Sequence, residues 1–95
     1  MRELVETFLE EGAEIVADLR ASLADEDRST LHRGAHSLKS SAQDFGATQL
    51  AELSARLEAR AVNTWPDRAA ADVDAIGECF DDARRDLGIW LDRQP

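Results

Sequence analysis

The chain has 95 residues, 43% hydrophobic and 33% charged, with a formal net charge of −9. That composition sets aside a disordered chain, and the length suits one small domain, residues 1–95, with little room for an internal cavity. The negative charge sets aside nucleic acid and anionic membrane surfaces as partners, and no apolar run approaches transmembrane length. Met1-Arg2-Glu3-Leu4 is not followed by the apolar stretch of a signal peptide. Cys79 is the single cysteine, so no intrachain disulfide can form. A cytoplasmic protein is the expectation.

Ala and Leu dominate the apolar residues, which favours helix over strand. In the first segment Val5, Phe8, Leu9, Gly12, Ile15, Val16, Leu19 and Leu23 recur at steps of three and four. They predict a helix over about Arg2–Leu23, with Gly12 allowing close approach of a neighbour. Asp25-Glu26-Asp27-Arg28-Ser29 reads as a polar turn that supplies an Asp or Ser cap. The second helix is expected over about Asp27–Phe45, its seam formed by Leu31, Ala35, Leu38, Ala42 and Phe45. Gly46 stops it. The third covers about Ala47–Ala61, with Leu50, Leu53, Leu57 and Ala61 inward, and the short connection makes it an antiparallel neighbour of the second. After the break at Val62–Asp67, Thr64 and Asp67 suggest a capping box and Pro66 a first helical turn. The fourth helix is therefore expected over about Trp65–Leu91, with Val73, Ile76, Phe80, Ala83, Leu87 and Trp90 inward. No strand alternation occurs. The fold class is all-α, an antiparallel up-down-up-down four-helix bundle.

On a helical wheel His36 points roughly 140° from the seam of the second helix, Gln43 about 120°, and Lys39 about 80°. Ser40 lies almost opposite the core. His36 is thus an exposed imidazole, and an ordinary imidazole, with a pKa of about 6.5, is largely neutral and nucleophilic at physiological pH. Small Ser40 leaves room for a large partner. Lys39 is placed to reach an anionic group on His36. An exposed His and Lys are in most proteins simply solvated, and Cys79, beside Ile76 and Phe80, reads as a packing residue. His32 and His36, one turn apart, can chelate a metal, but a stable site needs further ligands. No serine–histidine–acid order and no phosphate-binding glycine loop is present.

The stretch Ala35-His36-Ser37-Leu38-Lys39-Ser40-Ser41-Ala42-Gln43-Asp44-Phe45-Gly46-Ala47, followed by Leu50-Ala51-Glu52-Leu53 and Leu57-Glu58, resembles the histidine-containing phosphotransfer (HPt) domains of multistep phosphorelays. Glu3-Leu4-Val5-Glu6-Thr7-Phe8-Leu9 is similar to the family's preceding helix, and the likeness covers nearly the whole chain. It implies a four-helix bundle with His36 as phosphoacceptor and Lys39 beside the phosphoryl group. Ser40, Gln43 and His32 would surround it and meet the partner. The partners implied are receiver domains, both of response regulators and of a hybrid histidine kinase. The receiver would bring Mg²⁺, and the domain itself would hold no cofactor and have no autokinase activity. Two departures stand out. Ser40 occupies the place of the family's usual glycine, and the short extra first helix of many members is not seen, which would bare part of the bundle's apolar end. Two rival readings are an adaptor bundle that binds a receiver without taking phosphate, and a His32/His36 metal-binding bundle.

Overall fold

The computed structural model describes residues 2–94. Four helices make up its regular structure: α1 (Arg2–Asp25), α2 (Arg28–Phe45), α3 (Thr48–Arg60) and α4 (Ala69–Asp92). They pack in a ring in which α2 touches α1 and α3, and α4 closes the ring against both. Opposite ends meet at each seam. Phe8 of α1 stacks on Phe45 of α2 with ring centroids 4.4 Å apart. Arg28, opening α2, donates to the carbonyls of Ala61 and Val62 at the end of α3, at 2.9 and 2.7 Å. Arg2 of α1 reaches the Leu91 carbonyl of α4. The result is an elongated bundle of 47 × 21 × 16 Å.

The seam expected for α2 is observed except at its end, where Phe45 is only half-buried. Leu31, Ala35, Leu38 and Ala42 are fully buried, with Leu19, Leu50, Leu57, Ile76 and Phe80 around them. Each large side chain there contributes about 1.5–3 kcal/mol by leaving water. The Asp27 side chain accepts from the Thr30 amide at 3.2 Å and caps the helix. Gly46 ends it at φ 89°, a left-handed conformation that glycine adopts without strain. Its amide returns to the Ala42 and Gln43 carbonyls. α2 is therefore fixed at both ends and along one face, and His36 sits midway with no freedom to slide.

Gly12 is buried, and a Cβ placed on it would run into the ring of Phe80, itself 1% exposed. The ring belongs to the packed core, so relieving the clash means repacking it. Gly12→Ala is therefore expected to lower stability by about 1–3 kcal/mol despite alanine's better helix propensity, read as a fall in thermal midpoint by calorimetry.

Several expectations need correction. α4 begins at Ala69, not at Trp65, and the Thr64–Asp67 capping box does not form. A residue before proline is pushed out of the helical region, so the chain cannot turn into helix at Trp65. It makes turns instead, Pro66 is buried, and its carbonyl accepts from the Ala69 amide at 3.2 Å. The acid that matters here is Asp72, which binds Arg60 at 2.7 Å and ties the end of α3 to the start of α4. In α3, Leu53 is only half-buried, and Ser54 takes the inward place between Leu50 and Leu57. Leu87 and Trp90, placed inward by the pattern, are likewise half-buried because α4 outruns the shorter α2 and α3.

Candidate functional site

α2 and α3 are joined by a two-residue connection and run back along each other. His36 lies ten residues before Gly46 and Glu58 twelve after it, about 15 and 18 Å of helix rise, so the two meet at one level. The His36 side chain is 58% exposed, that of Glu58 only 17%. Nδ1 of His36 lies 2.6 Å from Oε2 of Glu58. The other oxygen, Oε1, is 2.5 Å from Nζ of Lys39. One carboxylate thus holds both an imidazole and an ammonium.

The ion pair with Lys39 is the main cause that keeps the Glu58 carboxyl below the usual glutamate range; burial opposes it, and the bond to His36 adds to it. An ionised carboxylate has no proton to donate, so Nδ1 of His36 must carry the hydrogen and give it to Oε2. In the neutral ring Nε2 is then left with a free lone pair. The lone pairs of the two ring nitrogens diverge, so Nε2 is turned away from Glu58 and toward solvent. The trio forms a nucleophile of fixed tautomer with a compensating negative charge behind it.

His36 and Lys39, paired by the sequence pattern, are brought together, but through Glu58. Lys39 spends its charge on the carboxylate rather than standing free beside the imidazole. Ser40 and His32 are half-buried and Gln43 is exposed on the surface around the trio. A shallow groove of about 320 Å³ starts at Gln43 and Gly46 and runs along Ala51 and Ala55, its α2 wall about two turns beyond His36. Cys79 is half-buried and free, with its thiol pushed up mainly by burial, as suits a packing residue. No cluster of three or more metal-ligating side chains occurs among the described residues. Glu58 is the site residue that residue patterns alone did not assign. The signal for it was the turn at Gly46, which sets residues nearly equidistant from it side by side.

A family model described as Hpt domain matches residues 3–86, which takes in α1, α2, α3 and most of α4. No curated protein and no solved structure matches the chain.

Proposed function

The chain belongs to the Hpt domain family, and from that premise we propose that it is a phosphocarrier that takes a phosphoryl group onto His36 from the aspartate of one receiver domain and passes it to the aspartate of another. The observation that carries this reading is the exposed imidazole whose Nδ1 is held by Glu58, leaving Nε2 as nucleophile.

The Nε2 lone pair attacks phosphorus of the receiver's acyl phosphate. An N–P bond forms, the P–O bond to the aspartyl group breaks, and its electron pair leaves with the aspartate carboxylate. The Nδ1 hydrogen stays on the ring, and Glu58 offsets the positive charge the ring acquires. The reverse step delivers the group to the second receiver. Such a transfer is governed by positioning and charge neutralisation, so an exposed histidine on a rigid helix suffices on this side. The receiver brings the Mg²⁺, and this domain needs no cofactor or nucleotide site of its own. Small Ser40, in the place of the family's usual glycine, keeps access to the imidazole open, with Gln43 and His32 lining the contact with the receiver. The domain works in the cytoplasm, where receivers of response regulators and hybrid kinases reside.

The test is incubation of the chain with a phosphorylated receiver. The expected result is a label that is stable in alkali, lost in acid and mapped to His36. A chain that binds the receiver without acquiring label would instead be an adaptor. Lys39 has a secondary part in this scheme, since it must leave Glu58 to meet the phosphoryl group. Lys39→Ala is expected to slow transfer by about tenfold, measured by single-turnover kinetics, and to lower the unfolding midpoint slightly at neutral pH, because Glu58 loses its ion pair.

A further inference from the structure

Lys39 approaches the imidazole from the α3 side and is held there by Glu58. The phosphoryl group proposed on Nε2 would project the other way, because Nδ1 is the nitrogen that faces Glu58. The cation on that other side is Arg33. It lies three residues before His36, a spacing that puts two helical side chains on neighbouring positions one turn apart. Helical side chains also lean toward the N-terminus of their helix, so the ring of His36 inclines over the turn that carries Arg33. Arg33 lines the small groove between α1 and α2, with Asp18, Thr30 and Ser37, on the flank away from α3.

Arg33 is also available, a property it shares with Arg56, Arg68 and Arg93 but not with Lys39, the cation on the other side of His36. On α1 and α4, Arg2, Arg20, Arg84 and Arg85 are each paired with a carboxylate. Lys39 and Arg60 are paired too. Arg33 is exposed and joins none of the ion pairs among the described residues. Asp18 and Asp27 are its acidic neighbours, and neither holds it in an ion pair. A guanidinium also suits a phosphoryl group better than an ammonium, since its fork binds two oxygens at once.

We propose that Arg33 is a phosphoryl-binding residue, whose guanidinium turns to hold the group carried on Nε2 of His36. The proposal rests on the reading of His36 as phosphoacceptor. Arg33 makes and breaks no covalent bond; it stabilises the phosphorylated form by charge and hydrogen bonds.

The experiment uses the full chain with acetyl phosphate as a small donor, which removes receiver docking from the comparison, and with a phosphorylated receiver in parallel. Arg33→Ala is expected to lower the phosphorylated fraction at equilibrium by about fivefold with either donor, the scale of one exposed ion pair. The ³¹P resonance of the phosphohistidine is expected to shift, and the difference to shrink at high salt. Arg33→Lys should restore part of the loss. Arg56→Ala, which removes an exposed cation from α3, should change neither quantity. Heat unfolding of all variants should match the parent. Equal phosphorylation and an equal ³¹P resonance in parent and Arg33→Ala would overturn the role of Arg33 while leaving His36 as acceptor. An equal loss in Arg56→Ala would assign the effect to overall charge and overturn it as well. A parent chain that takes no label from either donor would remove the reading of His36 beneath it.

Discussion

A His36→Gln chain is expected to carry no phosphoryl group at any concentration of phosphorylated receiver, and to unfold at the same temperature as the parent. The first half follows from the nucleophile. The amide nitrogen of glutamine has its lone pair delocalised into the carbonyl and does not attack phosphorus, while its size keeps the surface nearly the same shape. The second half follows from where His36 sits. Its side chain is 58% exposed and its bond to the protein is the one to Glu58. Glu58 keeps Lys39 when that bond is lost. A surface change of this kind falls within about ±0.5 kcal/mol. Binding of the receiver should persist, measured by calorimetric titration, which separates loss of chemistry from loss of docking. Acid-labile label still appearing on the variant would sink the assignment and point to His32, the other imidazole of this chain.

The reasons that α2 could be read from sequence are local. Asp27 caps, Gly46 stops, and Leu31, Ala35, Leu38 and Ala42 repeat at the period of one helix face. Those signals act within a turn or two, so the chain states them directly. The start of α4 depends on competition. The Thr64–Asp67 pair invites a cap, but Pro66 constrains Trp65 more strongly, and the helix waits until Ala69. The inward turn of Ser54 in place of Leu53 is set by how α3 packs against two neighbours at once, which no single-helix pattern contains. The site divides in the same way. The exposure of His36 is a property of its own helix and was legible. The tether to Glu58 joins residues 22 apart and becomes visible only when the angle and register of the α2–α3 turn are known. It also changes the part given to Lys39, which is held by a carboxylate in the unphosphorylated protein.

That tether carries the second large expectation. Replacing Glu58 by alanine should slow the uptake of the phosphoryl group by His36 on the order of 10- to 100-fold, the usual scale for removing the partner that orients a working imidazole. Without Oε2 the ring turns freely, and an unrestrained neutral imidazole favours the tautomer that protonates Nε2, the nitrogen that must attack. The effect on the product has the opposite sign. Glu58 is an anion close to the place of the phosphoryl group, and it occupies Lys39. Its loss removes repulsion and frees a cation, so the phosphorylated form, once made, should persist about threefold longer. Slower gain with slower loss distinguishes this role from mere damage to the fold, and ¹⁵N shifts of the His36 ring should show the proton leaving Nδ1 for Nε2. Glu58→Gln should fall between, since its amide oxygen can still accept from Nδ1 while its charge is gone. The acid dependence follows from the lowered carboxyl of Glu58. Between the lowered folded value and the ordinary one near 4.5 the unfolded chain binds more protons, so stability rises with pH there. The contribution is complete above the ordinary carboxylate range and is lost as pH falls through the folded value. Parent and Glu58→Gln should therefore differ in denaturant midpoint at neutral pH and converge in acid; a gap that stayed constant down to the lowest pH would show that the charge of Glu58 is not what holds Lys39 and His36 in place.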